Sequence, residues 1–255
     1  FKNEIAKYMS YQSRSSMGND MADVNNDGLP DMYTMDMLPQ TNYKRKQTVN
    51  GYSYIYYIND AKFGFEHQYV RNMLHLNNGL MNGELLPFSE VGQMEGIAAT
   101  DWSWSPLFAD YDNDGNTDLY VTYYGGNVLY RNLGGGKFRD VTKQAGVPGH
   151  GWGMGCAFGD YDNDGFPDVF ITAVGGNHLF HNEGHGKFRE VTTSAGLGGS
   201  GKDWSTSASW IDYDNDGDPD LLITGKTMVG PATRLYRNDG DNQNAPPVAP
   251  RGLTA

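Results

Sequence analysis

Three features of the sequence predict an all-β fold, a β-propeller of four-stranded blades. A nine-residue acidic string, Asp-x-Asp/Asn-x-Asp-Gly-x-x-Asp, occurs four times, beginning at Asp23, Asp110, Asp160 and Asp212. Short runs rich in β-branched and aromatic residues flank the copies in the same order, with no 3.6-residue apolar period between them. Glycine makes up 34 of the 255 residues, which suits many tight turns better than long helices. Repeats of about 50 residues that each supply four short strands are the pattern of propeller blades. A solenoid of the same repeats is the competing arrangement.

The elements follow in register. Residues 1–5 align with residues 138–142 and are expected to be the fourth strand of a preceding blade. Each first strand opens eight residues ahead of its loop, at Trp102, Trp152 and Trp204, with Ser15 at that place in the first copy. The second strands are expected after the loops, at 32–34, 119–122, 169–172 and 221–224. The third runs end at Asn77, Asn132, Asn182 and Asn238, and a glycine turn leads to fourth strands at 138–142 and 188–192, with a looser version at 88–91. The loops are 87, 50 and 52 residues apart, so the first interval holds about 36 extra residues, an insertion at about 40–69. It carries Lys44-Arg45-Lys46 and Tyr52, Tyr54, Tyr56 and Tyr57, and reads as a cap over one blade or as a partner-binding loop. Residues 1–240 are therefore blades. Residues 241–255, with Pro246, Pro247 and Pro250, read as a linker, and no fourth strand follows Asn238. Residues 1–5 could close a four-bladed ring, but a chain belonging to a larger ring is the preferred reading.

Composition excludes several classes. The chain has 19 basic and 31 acidic residues, a formal charge of −12 and a pI near 4.8. Phosphate backbones would repel it, so nucleic acid is not expected as a partner. No apolar run approaches the roughly 18 residues that span a bilayer, so membrane insertion is not expected. Cys156 is the single cysteine, which excludes an internal disulfide, and it reads as a small buried hydrophobe in a first strand. The opening Phe1 reads as the start of a mature or truncated piece of something longer.

The acidic loops carry the chemistry. Side-chain oxygens at positions 1, 3 and 5 converge only if the backbone wraps tightly, which glycine at position 6 permits, and the aspartate at position 9 completes the shell. The candidate ligands are Asp23, Asn25, Asp27 and Asp31; Asp110, Asp112, Asp114 and Asp118; Asp160, Asp162, Asp164 and Asp168; and Asp212, Asp214, Asp216 and Asp220. Hard oxygens in a flexible loop suit Ca²⁺, whereas soft metals would want Cys or His, which the loops lack. An EF-hand would need Glu at position 12, where this chain has Thr34, Val121, Ile171 and Ile223. One Asp-Gly turn is common; four in register with strands are specific. These positions hold 15 of the 31 acidic residues, and four structural Ca²⁺ would bring the formal charge from −12 to −4. The first loop, one carboxylate short at Asn25, is expected to be the weakest site.

Other candidates are weaker. Trp102, Trp152 and Trp204 sit at the strand ends away from the loops, where they either pack between blades or form stacking platforms for sugar rings. His178, His181 and His185 cluster in the third blade. His178 and His181 are expected on opposite faces of a strand, without a shared metal, and as solvent-facing turn residues. No Ser/His/Asp set can be assembled, and no helix follows the Gly134–Gly136 run as a phosphate cradle requires. The chain is expected to be non-catalytic.

The repeated loops with their strands resemble the FG-GAP/VCBS repeats, the calcium-loop propellers also found in integrin α-subunit heads. Met17-Gly18-Asn19-Asp20, Asp36-Met37-Leu38-Pro39, His67-Gln68-Tyr69-Val70-Arg71-Asn72-Met73-Leu74 and Thr100-Asp101-Trp102-Ser103-Trp104 are similar to secreted bacterial proteins of the cartilage-acidic-protein (ASPIC/UnbV-associated) group. The resemblance covers residues 1–239 and implies an extracellular, often seven-bladed propeller with calcium in its first hairpin loops. The chain has four such loops, so a seven-bladed ring would need further residues. Adhesion to a surface protein or glycan, or self-assembly, is the implied role. A lectin-like propeller and a propeller-type polysaccharide lyase are the alternatives. Residues 246–255 resemble the entry to a fibronectin-III-like domain.

Overall fold

The computed structural model describes residues 1–48, 54–149, 151–199, 201–227 and 230–240. It is nearly all β, with repeated antiparallel sheets that form propeller-like blades. The first blade pairs Gly18–Ala22, Asp31–Met35, Met73–Leu76 and Ser89–Glu90 in that order. The second pairs Ser103–Ala109, Asp118–Tyr123, Gly126–Asn132 and Phe138–Asp140, and the third Trp152–Gly159, Asp168–Val174, His178–Asn182 and Phe188–Glu190. In the fourth, Trp204–Ile211 lies on one side of Asp220–Thr227 and the short Gly230–Pro231 and Arg234–Tyr236 on the other, and no strand pairs outside Arg234–Tyr236 among the described residues. The first strands of neighbouring blades lie against one another in a row from first to fourth.

Cores form between blades, and this explains why the second strands read as continuous apolar runs rather than alternating ones. Leu119 and Val121 point into one core with Tyr33 and Leu74 of the first blade. Tyr120, between them in sequence, points the other way, into a core with Val169, Ile171 and Phe180 of the third. Phe170 and Leu179 then meet Leu221 and Ile223 of the fourth. Cys156 packs against the middle core, and burial pushes its thiol up to about 12, so it is an inert filler.

Two segments depart from the expectations. Residues 1–5 do not form a strand; the chain instead enters a helical turn, Ile5–Tyr8. In the alignment of residues 1–5 with 138–142 that turn coincides with Thr142–Ala145, and the residues before the two turns, Glu4 and Val141, share one conformation (φ −115°, ψ 11° and φ −120°, ψ 8°). The turn is shared, but Phe138–Asp140 is a strand because Gly126–Asn132 offers it a paired edge. Residues 1–4 have no such edge among the described residues. The insertion, to which the sequence reading assigns no elements, contains two helices, Asn42–Thr48 and Tyr54–Lys62. Tyr57 stacks on His67 with centroids 4.1 Å apart, and Lys44 reaches Asp101 of the second blade. Tyr52, the side chains of Tyr54 and Tyr56, the Pro-rich stretch and the fibronectin-like residues lie outside the described residues. No helix among the described residues is long and apolar enough to cross a membrane.

Candidate metal centre in the acidic loops

Each loop is built in one way. The aspartate at position 1 accepts backbone N–H groups from positions 5 and 6: Asp110 from Asp114 and Gly115 at 3.1 and 2.9 Å, and Asp160 from Asp164 and Gly165 at 3.0 and 2.9 Å. Asn26, Asn113, Asn163 and Asn215 at position 4 take φ between 55° and 60°, and the following glycines take φ between 83° and 94°. Asparagine tolerates the left-handed region and glycine favours it, so the loop curls without strain. The aspartate at position 9 opens the second strand and is fully buried in all four blades. Asp118 accepts the backbone N–H of Asn132 at 2.7 Å and of Tyr111 at 3.3 Å; Asp31, Asp168 and Asp220 repeat the pair.

Burial makes these carboxylates reluctant to ionise. Desolvation pushes Asp118 up to about 8 against its two backbone hydrogen bonds, and Asp168 up to about 7. Asp31, Asp112 and Asp162 are raised too, with burial as the leading cause. Charge that desolvation and crowding hold back is charge a bound cation would release.

In three of the four loops, three of the four candidate donors converge. Oxygens of Asp110, Asp112 and Asp118, of Asp160, Asp162 and Asp164, and of Asp212, Asp214 and Asp220 lie within 4.8 Å of one another. Asp112 Oδ1, on a side chain only 6% exposed, has no hydrogen-bond partner, nor has Asp214 Oδ1. Buried acceptors without donors fit a hard cation that would complete them. In the first loop Asn25 Nδ2 instead donates to Asp27 at 2.9 Å.

A third-strand side chain enters the second and the third loop, which the loop sequences do not show. Arg131 enters the second loop, with Nε 2.8 Å from Asp112 and Nη2 2.9 Å from Asp114. The Nη2 contact is a hydrogen bond, whereas the Nε–H is not aimed at its acceptor. At the matching place His181 stands in the third loop, Nδ1 lying 3.1 Å from Asp162 and 3.2 Å from Asp168 without hydrogen-bond alignment. His181 is thus a half-buried neighbour of the loop and a potential donor to it, not the solvent-facing turn residue expected. His178 faces elsewhere, onto Glu190 at 2.8 Å. His185 occupies the glycine turn, with φ 54°.

Two sets of asparagines, unassigned from sequence although they recur in every copy, tie the loops together. Asn26 at position 4 donates to the Gly115 carbonyl at 3.2 Å, Asn113 to Gly165 at 3.0 Å, and Asn163 to Gly217 at 3.3 Å. In return the asparagines at or just past the ends of the third strands of the second, third and fourth blades donate to the preceding loop: Asn132 to the Val24 carbonyl at 2.7 Å, Asn182 to Tyr111 at 2.7 Å, and Asn238 to Tyr161 at 2.6 Å. The loops therefore form one hydrogen-bonded row.

The tryptophans stand at the far ends of the first strands. Trp152 and Trp204 open their strands, and Trp102 precedes Ser103. Trp102 and Trp204 are exposed and Trp152 is half-buried.

A propeller-like all-β fold with one acidic loop per blade defines a repeat protein of the binding or structural kind. The chain belongs to the FG-GAP-like repeat family, which it matches over residues 49–121, 110–171 and 160–223. No curated protein matches it. Among solved structures it is similar to an Agrocybe aegerita lectin specific for non-reducing terminal N-acetylglucosamine, with 17% identity and a TM-score of 0.42 over 86% of this chain and 51% of the lectin. It is also similar to the Photorhabdus luminescens Tc holotoxin pore, with 14% identity and a TM-score of 0.42 over 87% of this chain and 9% of that one. The chain spans about half of the first and under a tenth of the second.

Proposed function

We propose that this is an extracellular, calcium-stabilised propeller that acts as a non-catalytic binding or assembly module. The observation that supports it best is the set of buried, unpartnered acceptors inside convergent loops, Asp112 Oδ1 above all. Calcium would be held by positions 1, 3, 5 and 9 of each loop, and when bound it supplies positive charge that lets the buried carboxylates ionise. Because the loops are joined by Asn26, Asn113 and Asn163, ordering them rigidifies one end of every blade at once. Millimolar calcium outside cells suits the extracellular placement. The role is adhesion to a surface protein or glycan, or assembly with like units. Calorimetric titration of calcium into stripped protein, with thermal unfolding in EGTA, tests the reading. About four bound ions and a large fall in midpoint on chelation are expected; neither ions bound nor a shift would overturn it.

A further inference from the structure

The three tryptophans at the strand ends are chemically alike but differ in what covers them. Trp204 already carries a cation, Lys226 Nζ, 4.5 Å from its ring centroid. Trp152 is half-buried, edge-on to Tyr124 at 5.3 Å and 6.0 Å from Trp104. Trp102 is 44% exposed and, with Tyr124 at 57%, lines a cavity of about 380 Å³. Asp101, Lys44 and Gln47 line the same cavity, the last two from the insertion helix Asn42–Thr48.

The aromatic pair is held rigidly. Tyr124 N–H donates to the Trp102 carbonyl at 2.9 Å, the next residue, Gly125, donates to Gly151 at 2.7 Å, and Asp101 N–H donates to Leu38 at 3.1 Å. Asp101 sits at φ 62°, uncommon outside glycine, and its side chain is 9% exposed with Oδ2 2.7 Å from Lys44 Nζ. The fourth blade repeats the Asp-Trp step, where Asp203 pairs with Arg234 at 2.8 Å, but no insertion stands over it. Exposed aromatic rings, beside a carboxylate that accepts and an ammonium and an amide that donate, match a molecule with an apolar C–H face and a rim of hydroxyls. An apolar peptide side chain would leave the ion pair without use. The volume lies at the small end of ligand pockets, about 300–1,000 Å³, and suits a single sugar unit.

We propose that the cavity between Trp102, Tyr124 and the insertion binds a pyranose ring. The ring stacks on Trp102 with Tyr124 at its flank, adjacent hydroxyls donate to the Asp101 carboxylate, and Lys44 and Gln47 donate to hydroxyl oxygens. This deepens the binding-module reading and rests on it, but not on the calcium loops, which lie at the other end of the strands. The test uses methyl β-glycosides of glucose, galactose, mannose and N-acetylglucosamine, followed by saturation-transfer NMR and calorimetry on the whole chain in calcium. At least one glycoside should bind in the millimolar range, with binding about ten-fold weaker or lost in Trp102→Ala and unchanged in Trp204→Ala. Asp101→Asn, which keeps every ring, should weaken binding too and covers the case of a misfolded Trp102 variant. No binding of any glycoside, or equal binding to wild type, Trp102→Ala and Asp101→Asn, overturns the proposal. Melting of the same wild-type sample with and without EGTA reports separately on calcium.

Discussion

Replacing Asp118 by asparagine should raise the melting temperature of the metal-free protein at pH 8 and lower it at pH 4. The buried carboxyl has its folded pKa lifted from 3.8 to about 8, a shift of about four units. At 1.36 kcal/mol per unit, forcing it to ionise opposes the metal-free fold by roughly 5 kcal/mol at pH 8 and above. Because the folded value lies above the unfolded one, this contribution to stability is fully present below pH 4. It is lost as pH rises towards 8. Asparagine removes the charge but offers one acceptor where Asp118 serves both Asn132 and Tyr111, and a donor facing a backbone N–H costs about 1–3 kcal/mol. The net gain at pH 8 is roughly 2–4 kcal/mol, about 4–8 °C for a chain of this size. At pH 4 only the lost acceptor remains and the variant melts lower. In calcium at pH 8 the order should reverse, since the variant lacks the charge the ion would meet. Differential scanning calorimetry at both pH values, with and without calcium, decides the matter. A variant that melts below wild type in metal-free buffer at both pH values would show Asp118 to be an ordinary satisfied acceptor and refute the reasoning.

The other predictions concern the surroundings of the loops. Arg131→Ala removes a cation from Asp112 and Asp114, so the second loop should bind calcium about ten-fold more tightly while the metal-free protein melts lower; calorimetric titration resolves the tightened site, and an unchanged profile would mean that Arg131 does not compete. Asn182→Ala deletes its side-chain bonds to Tyr111 and Pro167 across and beside a seam and should destabilise by about 2–3 kcal/mol in urea unfolding. Gly225→Ala would drive a methyl into the Trp204 carbonyl and the Ser205 backbone, costing about 1–3 kcal/mol by the same assay.

Much of this was readable from local spacing. The Asp-x-Asp-x-Asp-Gly string encodes much of its own curl, because the bonds from Asp110 and Asp114 to the loop backbone run between residues two to five apart. The second strands were readable because they are apolar on both faces, and the strand-ending asparagines marked the blade length. The expected strand at residues 1–5 failed for the opposite reason. Its pattern matches residues 138–142, yet a strand needs a neighbour's edge, and pattern alone does not provide one. The helices of the insertion escaped notice because their weak, mixed pattern carries no clear apolar stripe.

The sequence by itself determined the repeat and the all-β blades, since both rest on periodicity and on residues close along the chain, and it named sixteen candidate ligands, ten of which the structure gathers into acidic clusters. Only the tertiary structure decided that Arg131 enters the second loop where His181 enters the third, that loop asparagines stitch each blade to the next, and that one of three equivalent tryptophans borders a cavity. Those outcomes depend on inter-strand register and on which blade or insertion packs against which, distances in space that spacing along the chain does not encode.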